Sequence, residues 1–499
     1  MEEKDIVETT SGKVQGYSNR GVIKFKGIPY AVPPIGNLRF KLPIPIEPWE
    51  GILNATKYGP VAPQPASALE NMFSDPLPNS EADCLTLNIW TENLKNEAKP
   101  VMFFIHGGAF LTGSGRALDG SRLVLRGDVV VVSINYRLGP LGFLYMSDLP
   151  DTSPNVGLLD MVTALKWVKE NISRFGGDPE NITIFGESAG GSAVACLLAM
   201  PLAKGLFHRA ILQSQASNKY SYDPKMSTRY YENLIEKLEI KKGDIEALRT
   251  LPAEDIVNAS ERFETIKIGI PRAGPVKDKD TLPVTPLEAV KNGYTKDIDI
   301  LIGSNLDENK LWSMWTPDGE EINSERLLKR INTLMRFLRQ DESKSKEIIE
   351  IYTQRNKNPM DINDAILTDY MFHIPSIRLA EEQSKHRANT YMYLFKWRTP
   401  VNGGKYGAMH ALELSFVFNI LLDRDMGIFP RKTDETQELS EKMMDTWTSF
   451  ARTGNPNNNN IPNLPPYDID KRSTIIFDKE VTIAEDPYRN ERLVWKDIL

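Results

Sequence analysis

The segment Ile182-Thr183-Ile184-Phe185-Gly186-Glu187-Ser188-Ala189-Gly190-Gly191 runs an apolar strand into Gly-x-Ser-x-Gly and then into the small-residue start of a helix. Such a stretch forces a serine onto a sharp turn, with its hydroxyl exposed at the end of a sheet. Glycines flank the serine because a strained turn, and a helix passing close over its strand, leave no room for a Cβ. The helix N-terminus that follows offers free N–H groups to developing negative charge. Taken alone, the motif competes with an ordinary glycine-rich turn that happens to carry a serine. The rest of the chain has to decide between them.

A serine nucleophile needs a base, an acid to orient that base, and donors for an oxyanion. On this kind of strand–turn–helix the partners follow in the order serine, acid, histidine. The chain has five histidines: His106, His208, His373, His386 and His410. The first two precede Ser188 or lie too near it. His386 sits in Ser384-Lys385-His386-Arg387, which reads as a solvated helix end. His373 stands among Met371, Phe372 and Ile374, where a satisfied pocket residue is the competing reading. His410 lies in a glycine-bearing loop beyond the apolar run Tyr391–Phe395, where such a base belongs, and is favoured over His373.

For the acid, the short apolar strand Ile298-Asp299-Ile300-Leu301-Ile302-Gly303 opens into Ser304-Asn305-Leu306-Asp307-Glu308. Asp307 and Glu308 both qualify, and two solvated loop carboxylates are the plain alternative. For the oxyanion, His106-Gly107-Gly108-Ala109-Phe110 follows the buried-strand run Val101–Ile105. Its Gly-Gly pair lets backbone N–H groups turn inward, and the N–H of Ala189 adds another donor. His106 itself reads as a structural residue of that loop.

Strand-like runs at 101–105, 129–134, 182–185, 210–212, 298–302 and 391–395 alternate with helical stretches. One helix is marked by Leu158, Val162, Leu165, Val168 and Ile172, and is expected to end at Gly176-Gly177 before Pro179. Strand, helix, strand in this order predicts a parallel sheet with crossovers. Residues 12–30 read as antiparallel hairpins. Two long polar stretches with helical character, about 218–295 and 310–385, are expected to form a cap over the site. Trp312, Trp315, Met371, Phe372, Phe110 and Leu111 are its candidate pocket-lining residues.

A net charge of −7 on 499 residues is mild and argues against nucleic acid as partner. No apolar run reaches membrane-spanning length, and Met1-Glu2-Glu3-Lys4-Asp5 lacks an apolar leader. Cys84 and Cys196 are too few for a disulfide framework, and both are expected to be free thiols in a cytoplasmic protein. The cysteines and histidines form no ligand-spaced cluster, so neither metal nor organic cofactor is expected.

The residues also carry a resemblance. Phe25-Lys26-Gly27-Ile28-Pro29-Tyr30-Ala31, Asp83-Cys84-Leu85, His106–Phe110 and Asn135-Tyr136-Arg137-Leu138-Gly139 come first. They are followed by Phe175-Gly176-Gly177-Asp178-Pro179, Gly186–Gly191, His410-Ala411-Leu412-Glu413-Leu414 and Phe450–Pro456. Together they resemble the type-B carboxylesterase family, and within it the bacterial para-nitrobenzyl esterases most. The resemblance implies a single α/β-hydrolase fold over 1–499, with a large, mostly parallel central sheet, helices on both faces and helical cap insertions. It implies a serine carboxylesterase with Ser188 as nucleophile, Glu308 as acid and His410 as base. The N–H groups of Gly107, Gly108 and Ala189 would form the oxyanion hole.

The chain departs from the family pattern at Asn309, where a glycine is usual after the acid. Asparagine is expected to take over its left-handed backbone. At Ser214-Gln215 the family's glycine is replaced by glutamine; Ser214 is expected to hydrogen-bond the acid and Gln215 to narrow the pocket. Glu187 reads either as a structural carboxylate or as one that favours a cationic or polarised leaving group. The expected partner is a small-molecule ester, a short-acyl ester of a bulky or aromatic alcohol, acted on by a monomer with no nucleic acid or membrane partner. A lipase, amidase or carbamate hydrolase with the same triad is the alternative, and an inactive binding protein of the same fold a remoter one.

Overall fold

Uninterrupted apolar runs form strands here because both faces of the sheet are covered. In Lys99–Ile105 every residue is buried: Val101, Phe103 and Ile105 pack into one core, Met102 and Phe104 into the other. That alternation follows from the two-residue period of a strand. The computed structural model describes residues 5–66, 78–95, 97–146, 149–215, 222–260, 273–313, 322–386, 388–422 and 430–499.

The strands are β1 Ile6–Thr9, β2 Gly12–Gln15, β3 Tyr17–Asn19, β4 Val22–Pro29, β5 Ile52–Asn54, β6 Thr86–Thr91 and β7 Lys99–Ile105. They continue as β8 Val130–Ile134, β9 Gly177–Glu187, β10 Arg209–Gln213, β11 Asp299–Asn305, β12 Thr390–Phe395, β13 Ser473–Phe477 and β14 Thr482–Glu485. Eleven of them form one sheet in the order β14-β13-β12-β11-β10-β9-β7-β8-β6-β4-β3. Its middle, from β8 through β7, β9, β10, β11 and β12 to β13, is parallel throughout. Antiparallel strands finish both edges. This is the α/β-hydrolase architecture, a large mostly parallel sheet flanked by helices. Strands β1, β2 and β5 make a small separate sheet.

The helix marked by Leu158–Ile172 runs from Val156 to Asn171 and passes through a short 3₁₀ turn to Gly176, whose φ of +83° stops it. Strand β9 is longer than the apolar run 182–185 indicated. It starts at Gly177 and includes Pro179, because the polar residues before Ile182 still continue an extended backbone at the sheet's rim. The stretches 218–295 and 310–385 are helical where described, with Pro224–Lys237, Ser324–Phe337, Ser343–Thr353, Pro359–Thr368 and Ile374–Gln383 as the main segments. Trp315 lies outside the described residues. No helix among the described residues is long and apolar enough to cross a membrane.

The register places the C-terminal ends of β7, β9, β10 and β11 along one edge: Ile105 pairs with Gly186, Glu187 with Gln213, and Gln213 with Gly303. Ligand sites of open parallel sheets form outside these carboxyl ends.

Candidate active site

Ser188 sits where β9 meets the helix Ala189–Ala199, with φ 58° and ψ −120°. A non-glycine residue at positive φ costs ~1–3 kcal/mol and persists only when its surroundings over-determine it. Here they do. The Ser188 N–H donates to Gln213 O at 2.9 Å, and Ser188 O accepts from Ser192 N–H at 2.9 Å. A Cβ on Gly190 would stand 2.0 Å from Ile105 O, and one on Gly186 2.6 Å from the Gly190 carbonyl carbon. Only glycine lets the helix pass this close to the sheet, which is the physical content of the Gly-x-Ser-x-Gly spacing.

The loop after β7 turns back on itself through three consecutive positive-φ residues: Gly108 (+101°), Ala109 (+55°) and Phe110 (+62°). A Cβ at Gly107 would meet Ser188 Cβ at 3.2 Å, and one at Gly108 would meet Thr112 O at 2.1 Å. Backbone therefore approaches the serine directly. Gly107, Gly108 and Ser188 border one cavity, together with Trp312, Phe104, Leu118, Leu414, His410 and Glu187. Ala189 is buried just behind Ser188 as the first residue of the helix. Phe110 and Leu111 pack into the core and are not among the residues bordering this cavity; nor is Gln215.

His410 and Glu308 meet across 102 residues of chain, with Nδ1 2.5 Å from Glu308 Oε2. The other oxygen of Glu308 accepts the N–H of Asn305 at 2.8 Å, and the carboxylate is fully buried. Asp307 turns elsewhere. Its Oδ2 accepts the N–H of Ala408 at 3.0 Å, and Lys310 stands 3.5 Å from Oδ1. Asp307 thus fastens the histidine's loop by its backbone while Glu308 meets the ring.

Two further carboxylates surround the imidazole. His410 Nε2 lies 3.1 Å from Glu187 Oε1. Among the described residues, Ser188 Oγ makes no hydrogen bond with His410. Glu413, buried one turn beyond, accepts from Asn305 Nδ2 at 2.6 Å and from Gln213 Nε2 at 3.2 Å. Burial works against the charged imidazole, but Glu187 and Glu308 outweigh it and lift its pKa to about 9. Burial, then repulsion from Glu308, pushes the Glu413 carboxyl up to about 7. Burial likewise raises Glu187 well above the usual carboxylate range. A low-dielectric pocket with several acids and one imidazole holds protons tightly.

The remaining histidines are placed apart from this cluster or fixed within its walls. His373 Nδ1 pairs with Ser304 Oγ at 2.9 Å, and burial lowers its pKa to about 4. His106 stacks on Tyr136 at 4.3 Å with its Nδ1 2.8 Å from Gly107 O, as expected of a structural residue. His386 Nε2 meets Val290 O at 2.6 Å. His208 Nδ1 accepts the N–H of Ile182.

Beyond the pocket positions of Phe110, Leu111 and Gln215, two further expectations fail. Ser214 Oγ is buried without a hydrogen-bond partner among the described residues, so it does not support Glu308. The Asn305 N–H takes that place because the acid's own turn brings it nearer. Asn309 does not adopt a left-handed backbone. Its side chain reaches Asp364 Oδ1 at 2.8 Å instead. Sequence reasoning also missed the Glu413–Asn305–Gln213 network. The one signal for it was a carboxylate three residues after His410.

The chain also matches known proteins along nearly its whole length. The Carboxylesterase family pattern matches residues 3–495. The para-nitrobenzyl esterase of Bacillus subtilis (strain 168) is 41% identical over 493 residues, covering 98% of this chain and 97% of its own. The phenmedipham hydrolase of Pseudarthrobacter oxydans is 34% identical over 508 residues, covering 99% of each. Among solved structures, a thermophilic PNB esterase superposes with a TM-score of 0.86 at 38% identity, over 99% of this chain and 100% of that one. A Geobacillus stearothermophilus carboxylesterase gives 0.87 at 38% identity, over 98% and 100%.

Proposed function

The chain belongs to the carboxylesterase family and is a serine carboxylic ester hydrolase, and from that premise we propose that Ser188, His410 and Glu308 carry its reaction. The observation that carries the assignment is the 2.5 Å contact between His410 Nδ1 and the buried Glu308, beside a strained serine at the same cavity. Ser188 Oγ attacks the ester carbonyl while His410 Nε2 takes its proton, after a small rotation of the ring away from Glu187. Glu308 stabilises the imidazolium. The N–H groups of Gly107, Gly108 and Ala189 receive the oxyanion, each such donor being worth ~3–4 kcal/mol of barrier. His410 then protonates the departing alcohol, and water hydrolyses the acyl-enzyme by the same route.

The substrate is a small ester, a short-acyl ester of a bulky or aromatic alcohol. The aromatic and aliphatic lining from Phe104, Leu118, Trp312 and Leu414 supports this, as does the name of the para-nitrobenzyl esterase relative. The helices of 218–295 and 310–385 act as the cap, since Trp312 and Phe372 of the second stretch reach the His410 ring. The protein works as a cytoplasmic monomer without a nucleic-acid or membrane partner. Its two buried free cysteines and mild charge are in keeping with that.

Turnover of a short-chain para-nitrophenyl ester tests the assignment. Ser188→Ala is expected to lower kcat by ~10⁴ or more and Glu308→Gln substantially, while Asp307→Asn leaves most activity. Full activity in Glu308→Gln with loss in Asp307→Asn would reverse the choice of acid.

A further inference from the structure

The turn that follows Glu308 is tied to one face of a helix. Asn309 N–H donates to Thr368 Oγ1 at 3.0 Å, and Asn309 Nδ2 donates to Asp364 Oδ1 at 2.8 Å. Ser313 Oγ donates to the same Asp364 oxygen at 2.7 Å. Four residues beyond Thr368, Phe372 stacks on Trp312 with ring centroids 5.8 Å apart and planes 9° apart. Asp364, Thr368 and Phe372 are spaced as neighbours along one side of the helix Pro359–Thr368 and the π-turn Asp369–His373 that continues it. All three are buried. The short helix Lys310–Ser313 is thus pinned at both ends, with Trp312 between the pins.

Trp312 is the residue this arrangement controls. Its indole lies 4.9 Å from the His410 ring and borders the cavity. Its Nε1–H has no hydrogen-bond partner among the described residues, so no polar contact of its own fixes the ring. Its place is set by stacking and by the turn. Without the Asn309 amide, that Asp364 oxygen would keep Ser313 and a longer contact from Asn363 Nδ2 at 3.4 Å. Neither of these holds the start of the turn, which would keep only the backbone N–H of residue 309 on Thr368 Oγ1.

We propose that Asn309 and Asp364 form a latch that positions Trp312 against His410 and thereby sets which esters the cavity accepts. Both are positioning residues that act through Trp312. The inference rests on the reading of Ser188 and His410 as nucleophile and base. A buried carboxylate that merely satisfies a loop would lower stability and affect every substrate alike. A latch on a cavity wall changes the ranking of substrates.

The experiment uses the full chain with para-nitrophenyl acetate, para-nitrophenyl hexanoate and para-nitrobenzyl acetate. Asn309→Ala introduces no backbone strain, because this residue lies outside the left-handed region. It is expected to change the ratio of kcat/KM between the largest and smallest ester by about threefold or more, mainly through KM. In a Trp312→Ala background the same substitution is expected to leave the ratio unchanged. Equal scaling of all three substrates by Asn309→Ala overturns the latch, and so does a ratio change that survives in Trp312→Ala. Should Asn309→Ala fold poorly, Ser313→Ala removes only the second donor to Asp364. It is expected to move the ratio in the same direction by a smaller amount, and an unmoved ratio there overturns the latch. Ser188→Ala separates the two readings: retained turnover there sinks the nucleophile assignment, whereas the latch stands or falls on the substrate ratio.

Discussion

His410 Nε2 lies 3.1 Å from Glu187 Oε1, so the nitrogen that must serve the nucleophile faces a carboxylate in the resting enzyme. The residue just before the serine in the chain therefore competes with it for the base. Both carboxylates that flank the ring favour its charged form, and the imidazole is held up to about 9 against the opposing effect of burial.

The first prediction follows from that charge balance. His410 acts as a base only when neutral, so activity rises with pH through its pKa. Glu187→Gln removes one of the two attractions, and the acid limb of kcat/KM is expected to move to lower pH. The same folded-state pKa, above the unfolded value near 6.5, contributes stability fully present below that value and lost as pH rises through about 9. In Glu187→Gln that alkaline loss is expected to shrink. Thermal unfolding from pH 6 to 10 measures it, and an unmoved acid limb would show that Glu187 does not govern the base.

The oxyanion loop makes a second test. Gly108 has φ +101°, and a Cβ there would stand 2.1 Å from Thr112 O. Gly108→Ala must rebuild the loop and turn its N–H away from the serine. We expect kcat to fall by about 10²–10³ with a smaller change in KM. Parent-like kcat in a folded variant would mean that this N–H does not receive the oxyanion.

His373 offers a prediction about stability rather than chemistry. Burial holds it neutral, with a pKa lowered to about 4, and its Nδ1 pairs with Ser304. The unfolded chain takes up a proton below about pH 6.5 that the folded protein refuses until about pH 4. This residue therefore costs the fold on the order of 3 kcal/mol as pH falls across that window. His373→Asn keeps a polar side chain without the titration. Its destabilisation, measured by urea unfolding, is expected to be largest near pH 8 and to diminish toward pH 4. Turnover at neutral pH should stay within about tenfold of the parent, against ~10⁴ for loss of the base itself.

Both thiols are buried and free. Burial pushes Cys196 up to about 12 and raises Cys84 as well. Thiolate is the reactive form, so the native protein is expected to react with an aromatic disulfide reagent only as fast as it unfolds. Two equivalents should appear promptly in denaturant. Rapid native-state labelling, with loss of activity, would place a thiol at the surface.

Much of this site was legible before any fold was known, because its parts are local. The Gly-x-Ser-x-Gly turn needs glycines at Gly186 and Gly190 for reasons of contact within a few residues of chain and one neighbouring strand. The Gly107-Gly108 loop shows the same kind of demand. The buried strands appear as apolar runs because the sheet is covered on both faces. The choice between Asp307 and Glu308 was different in kind. Adjacent loop residues point in different directions, and neither composition nor spacing says which one faces His410.

The sequence by itself determined six strands of the central sheet, the strained serine, the glycine-lined loop and a short list of acids and bases, since these depend on backbone conformation and nearest neighbours. The family resemblance carried by the sequence already named Glu308 as the acid; tertiary structure alone decided that Asp307 fastens Ala408, that Glu187 stands beside Nε2 of the base, and that Asn309 reaches Asp364. Those pairings join residues far apart in the chain, and their geometry comes from where the fold places β9 and β11, on either side of β10, and the helix Pro359–Thr368. Contacts of that kind leave no period or spacing in a sequence.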